Sequence, residues 1–278
     1  MRVLNYGDSD KDVRRLQKLL IANGYEIKLN GIFNEETERA VELFQDDHRL
    51  VSDGVVGAKT WAALSGVPLP KTLCQRDIEK AAGLLGVEVP IVQAVNYVES
   101  SGCGFLDGGM PKVLYERHIM YRRLKAHGQQ ADEWARSAPA LVSMLPGGYS
   151  GGVNEWMRLR GAERIHEKAA RESCSWGAFQ IMGWHWSRLG YSSIDEFVDC
   201  MRRNEGYHLD AFVRFILADA NLTRALQKRD WATFAHGYNG KDYRKHTYDT
   251  KLEHAYQRYA IKAAGKGPSL KPRQTASL

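Results

Sequence analysis

Apolar residues recur every three to four positions along DKDVRRLQKLLIAN, residues 10–23, placing Val13, Leu16, Leu19 and Leu20 on one face of a predicted helix. Asp8, Ser9 and Asp10 precede it as N-cap candidates, and Gly24 suits its end. An internal echo follows. NGIFNEETERAV (30–41) aligns with DGVVGAKTWAAL (53–64). Each has an Asn-Gly or Asp-Gly turn, two apolar residues and a helix, with Thr37 matched to Thr60 and Ala40 to Ala63. In the first copy Ala40, Val41 and Phe44 continue the apolar stripe. Residues 1–66 therefore predict a compact three-helix unit. It holds no paired acids and no nucleophile beside a base, so binding suits it better than catalysis.

GVPLPKT (66–72) carries two prolines that resist helix, and the domain boundary falls there, with 67–73 as a stiff linker. The helical pattern resumes in RDIEKAAGLLGV, where Ile78, Ala81, Ala82 and Leu85 share a face that ends at Gly86. Pro90 suits the first turn of the next helix, on which Val92, Val95 and Glu99 share a stripe. Ser100, Ser101 and Gly102 stop it at once. The pattern over 74–264 predicts a second, larger α-helical domain with at most a short β element, so the fold class is mainly α.

Composition narrows the function. The 278 residues are 44% apolar and 26% charged, as in an ordinary soluble protein. No apolar run is long enough to span a bilayer. Charged residues from Asp8 to Arg15 interrupt any signal-peptide core, which predicts synthesis and folding in a cytoplasm. Cys74, Cys103, Cys174 and Cys200 form no CxxC pair and are expected as reduced thiols. The histidines form no HExxH or Cys/His cluster, so neither a metal nor an organic cofactor is implied. The net charge of +6 favours an anionic polymer, whether nucleic acid, membrane surface or cell wall. No recognition helix, phosphate loop or RNA- or DNA-binding motif supports nucleic acid. Residues 265–278 predict a flexible tail, and its Lys266, Lys271 and Arg273 suit weak contact with outer-membrane lipid.

The candidate chemistry centres on Glu99. An apolar stripe desolvates its carboxyl and favours the protonated form, which can give a proton to a leaving oxygen. The plainer alternative is a helix-end glutamate reaching water. SWGAFQIMGW (175–184) and GYNGKDY (237–243) mix glycines with aromatic and amide side chains, as a sugar site requires. Glycoside hydrolysis usually needs a second carboxylate. Asp107, in the glycine-rich FLDGGMP, and Glu116, in KVLYERH, both follow Glu99. If extended, KVLYERH puts Val113 and Tyr115 on one side and Leu114 and Glu116 on the other. Glu116 is favoured because an ordered segment fixes a carboxylate better than a turn does. A salt bridge to Arg117 or Arg122 is its alternative role. His118 could hydrogen-bond either acid or a sugar. Glu167, Glu172 and Asp242 have no specific claim. Retaining and inverting chemistry both stay open.

Residues 1–66 resemble the peptidoglycan-binding domain of cell-wall hydrolases, in GDSDKDVRRLQKLL, NGIFNEETERAVELFQ and DGVVGAKTWAAL. Glu99-Ser100, then Gly177 to Ile181, then Tyr238-Asn239 follow the motif order of lytic transglycosylases and goose-type lysozymes. Residues 75–264 more closely resemble the N-acetylmuramidase domain of modular phage endolysins, in KVLYERH, PGGYSGGVNEWMRL, ESCSWGAFQIMGWHW and DWATFAHGYNGKDYRKHTYDTKL. The resemblance implies a lysozyme-like fold and hydrolysis of the β-1,4 bond between N-acetylmuramic acid and N-acetylglucosamine. It implies Glu99 as general acid and supports Glu116 as its partner. Gln180 would contact the sugar's N-acetyl region, and the Tyr238 hydroxyl would orient the acid, with Asn239 beside it. Phe179 would line the groove and Ser100 would support the site. Ile181 would line the groove or fill the core. The expected partner is bacterial peptidoglycan, reached by a monomer through a separate membrane pore. Two alternatives stand: a lytic transglycosylase leaving anhydro ends, and a non-catalytic wall-binding or virion protein.

Overall fold

The computed structural model describes residues 2–100, 102–240 and 243–265. The tail from Lys266 and the acid at Asp242 lie outside the described residues. Three helices come first: α1 (Lys11–Ala22), α2 (Glu35–Asp47) and α3 (Ala58–Leu64). Asp10 caps α1 by accepting from the N–H of Asp12 and Val13, and Asn34 caps α2 through Thr37. Their shared core holds Leu4, Val13, Leu16, Leu20, Phe33, Val41, Phe44 and Trp61, while Leu19 packs at its edge.

The internal echo has a buried polar counterpart. Gln17 Nε2 donates to Asn30 Oδ1 (2.8 Å), Ile32 O (3.1 Å) and Thr37 Oγ1 (3.1 Å), while its Oε1 accepts from Gly31 N (2.8 Å). Gln45 repeats the set with Asp53 Oδ1 (3.0 Å), Val55 O (3.0 Å), Thr60 Oγ1 (3.2 Å) and Gly54 N (2.9 Å). Each glutamine plugs the turn that follows its own helix. Gly31 and Gly54 have positive φ, 75° and 69°, which glycine adopts without strain.

The larger core is built from ten further helices among the described residues. The chain bends by 113° from α4 (Gln75–Leu85) to α5 (Val89–Glu99). Gly86 ends α4 in the left-handed region, and Pro90 sits in the first turn of α5. Strand β1 (Val113–Tyr115) leads into α6 (Arg117–Ala126) and α7 (Ala131–Ser137). Helix α8 (Val153–Glu172), broken at His166, precedes β2 (Cys174–Trp176) and β3 (Ile181–Met182). The strands form one antiparallel sheet in the order β1-β2-β3, with Leu114 opposite Ser175 and Trp176 opposite Ile181. Helices α9 (Ile194–Arg203), α10 (Glu205–Leu217), α11 (Ala220–Lys228), α12 (Trp231–Asn239) and α13 (Tyr248–Gly265) follow. The fold is mainly α. The four cysteines are free thiols.

Helix α13 packs along α5 and α12, with Ala94, Ala255 and Tyr259 buried between α5 and α13. The first three helices dock on the remainder through polar side chains. Lys262 of α13 pairs with Glu38 (2.7 Å) and Glu42 (3.0 Å), Arg258 donates to Asn5 Oδ1 (3.0 Å), and Lys59 of α3 pairs with Glu205 (2.6 Å). The connector is laid down rather than free. Lys71 donates its ammonium to the carbonyls of Gly109 and Arg202, both at 3.0 Å.

Candidate active site

Glu99 is the last residue of α5, above the buried Val92 and Val95. The helix stops because Ser100 turns to extended backbone (φ −80°, ψ 126°), and its hydroxyl donates back to Asn96 O at 2.5 Å. Ser100 thus serves the helix end and offers its proton inward. Across the site, α12 ends at Asn239, whose Nδ2 donates to Glu99 Oε1 at 2.9 Å. Burial pushes the Glu99 carboxyl up to about 7, against the opposing pull of the Asn239 amide and the Lys251 ammonium. A carboxyl poised near neutrality populates both protonation states there, as a general acid-base requires.

Tyr238, expected to orient the acid, and Phe179, expected to line the groove, act differently. The Tyr238 hydroxyl donates to Phe179 O at 2.8 Å, so its proton goes to the hairpin and not to the acid. Burial and then the Glu99 charge still push its phenol well up. Phe179 is only 3% exposed and packs on Phe212 with ring centres 4.9 Å apart, and Ile181 is equally buried. Both are core residues, with no surface to offer a sugar, because aromatic burial against α10 outweighs groove lining.

Gln180 is exposed at the β2–β3 turn with φ of 50°. Its Oε1 accepts from Ser175 Oγ (2.8 Å) and its Nε2 donates to Gly177 O (2.8 Å). The amide closes its own turn and keeps one N–H for a ligand.

Glu116 follows β1 and stands at the N-cap of α6. Val113 and Tyr115 point into the core, and Glu116 lies half-buried on the other side of the chain. Tyr149 donates its hydroxyl to the Glu116 carboxylate, 2.9 Å from Oε2 and 3.1 Å from Oε1. His118 Nδ1 is 3.2 Å from Oε2 without the alignment of a hydrogen bond. Arg117 turns away, donating to the carbonyls of Leu145 (3.1 Å) and Pro146 (3.0 Å). Asp107 is exposed in a tight turn closed by Leu106 N to Met110 O (2.8 Å) and Gly109 N to Leu106 O (2.9 Å). Glu172 is buried under Arg123, His127 and Trp186, and Glu167 pairs with Arg171.

Four neighbours escaped sequence reading although each lay in a motif singled out there. Tyr248 and Lys251 of α13 lie within electrostatic reach of Glu99: burial and then the Glu99 charge raise the Tyr248 phenol, and Lys251 opposes the acid's shift. Tyr149 holds Glu116. Glu155, 1% exposed, accepts from Tyr115 N (3.0 Å), Ser150 N (2.6 Å) and Gly151 N (3.0 Å), so it ties the Tyr149 loop to the end of the strand that precedes Glu116. Their residue types are ordinary, and only the fold brings them together. A concavity of about 330 Å³ between α4 and α10 holds none of these side chains.

A family model described as N-acetylmuramidase matches residues 88–260, more than half of the chain. A second, described as a putative peptidoglycan binding domain, matches residues 9–64. The crystal structure of the Burkholderia AP3 phage endolysin is similar at 47% identity, with a TM-score of 0.89 over 95% of this chain and 100% of that chain.

Proposed function

The chain belongs to the N-acetylmuramidase family, and from that premise we propose that Glu99 is its general acid and Glu116 the second carboxylate. The protein is a glycoside hydrolase that degrades bacterial peptidoglycan, an endolysin with a wall-binding module at its N-terminus. The observation that carries the site reading is a half-buried carboxyl raised to about 7 at the end of an apolar helix, with Asn239 bonded to it.

In this reading Glu99 gives its proton to the glycosidic oxygen between N-acetylmuramic acid and N-acetylglucosamine. The Asn239 amide fixes Oε1 and leaves Oε2 toward the substrate. Glu116 stabilises the oxocarbenium-like centre or activates water, and Tyr149 fixes its rotamer. His118 neutralises Glu116 when protonated. Gln180 offers its remaining N–H to an N-acetyl carbonyl. The test is end-group analysis of fragments from purified peptidoglycan by mass spectrometry, with Glu99→Gln as control. Reducible N-acetylmuramic acid ends are expected, and none from the variant. Anhydro ends would instead mean transglycosylation by Glu99 alone.

Residues 1–66 form the wall-binding module, 67–73 the connector and 74–264 the catalytic module. Two separate hydrophobic cores support that division. The enzyme acts as a monomer and reaches the wall through a pore supplied by another protein. Among the described residues no single helix is long and apolar enough to cross a membrane. Expression alone should leave host cells intact and co-expression of a pore-forming protein should lyse them; lysis without the pore refutes this. Sedimentation as a dimer would refute the monomer.

A further inference from the structure

Glu205, in the first turn of α10, is a buried carboxylate with no part in the chemistry above, only 1% exposed. Its Oε2 takes the Lys59 ammonium at 2.6 Å and the N–H of Leu73 at 2.8 Å, and its Oε1 takes the N–H of Gly104 at 2.7 Å. Lys59 belongs to the wall-binding module, Leu73 to the connector, and Gly104 to the segment that leaves Glu99.

From Gly104 main-chain hydrogen bonds run to the entry of β1 and on to the β2–β3 turn. Gly104 O accepts from Lys112 N at 2.8 Å, where the chain enters β1 and runs on to Glu116. Lys112 O accepts from Gly177 N, also at 2.8 Å, where the Gln180 turn begins. One turn along α10, His208 Nδ1 accepts from Ala178 N (3.1 Å) while its Nε2–H donates to Met201 O (2.7 Å). The imidazole is therefore neutral and stacks on Phe105, ring centres 4.9 Å apart.

These contacts have no slack. A Cβ on Gly104 would stand 2.4 Å from His208 Nδ1, and one on Gly177 2.7 Å from His208 Cγ. The first turn of α10 thus grips the segments bearing Glu99, Glu116 and Gln180 at one point.

We propose that Glu205, held by Lys59, is a positioning residue for the active site, so that the docked wall-binding module sets the catalytic geometry. Burial alone would raise the Glu205 carboxyl, and Lys59 with the N–H of Gly104 keeps it below its ordinary value. Without Lys59 the carboxylate is a buried charge lacking its cation, and the first turn of α10 must move to hydrate it. Gly104 moves with it. A module that served only as a tether would make no difference to substrates it does not bind.

The proposal rests on the active site lying at Glu99, which Glu99→Gln tests independently of Lys59. The experiment uses the full chain on short soluble glycan fragments. Lys59→Met should lower kcat about tenfold with KM within about twofold, because reacting groups are misplaced while binding surface is kept. Lys59→Arg should restore most of kcat. Hydrogen exchange should quicken in residues 102–112 and leave α1 and α2 unchanged. If Lys59→Met does not fold, Lys59→Gln is read in the same way. Wild-type kcat in a folded variant, or exchange quickened equally throughout the protein, overturns the proposal.

Discussion

Asn239 donates its side-chain amide to Glu99 Oε1 at 2.9 Å across 140 positions of sequence, joining the ends of two helices. The bond favours the ionised carboxyl, whereas the burial of the same group favours the protonated one. Burial wins, leaving a group near 7.

That value fixes a pH limb. A general acid must be protonated, so kcat/KM on soluble fragments should fall as pH rises through about 7. A rate flat from pH 5 to 9 would take Glu99 out of the proton transfer.

The same shift predicts stability. The folded-state value is raised above the ordinary 4.5, so the contribution is fully present below 4.5 and is lost as pH rises through about 7. The gap sets a ceiling of about 3 kcal/mol, reduced by solvent screening. Glu99→Gln should therefore melt higher than wild type at pH 8 and alike at pH 4. A variant that melts lower at pH 8 would contradict the desolvation of Glu99.

Asn239→Ala should move the basic limb to higher pH, because the amide's lowering effect is gone. It should also reduce kcat about tenfold through lost orientation, in line with a hydrogen bond to a charged group. A limb displaced toward acid in the pH–rate profile would show that the amide does not act on Glu99.

Glu116→Gln should cost about a hundredfold or more in kcat, the usual scale for a lost acid-base group. Tyr149→Phe should cost roughly tenfold. Steady-state kinetics on soluble fragments decides both, and a Glu116→Gln enzyme near wild type would leave Glu99 without a carboxylate partner here.

Gln17→Ala and Gln45→Ala should each destabilise the protein by about 2–4 kcal/mol, since each strands a buried glycine N–H and leaves a cavity. Denaturant unfolding checks this. Losses under about 0.5 kcal/mol at both sites would mean that water replaces the amides.

The sequence itself determined the helical periodicity, the repeated turns and the position of Glu99 on an apolar stripe, because these are local properties of spacing. It placed Val113 and Tyr115 inward and Glu116 on the other side, because side chains alternate along an extended segment. It did not show Gln17 and Gln45, which sit on the helices before the aligned turns at a different spacing from them. Phe179 looked like a groove residue and Tyr238 like the acid's orienting hydroxyl, since an aromatic in a glycine-containing motif has the same pattern in a core as in a cleft. Tertiary structure alone decided that Tyr149 holds Glu116, that Lys59 reaches Glu205, and that the Lys251 charge acts on Glu99. The first two are polar contacts between distant segments, made by ordinary residue types and selected only when burial brings donor and acceptor together.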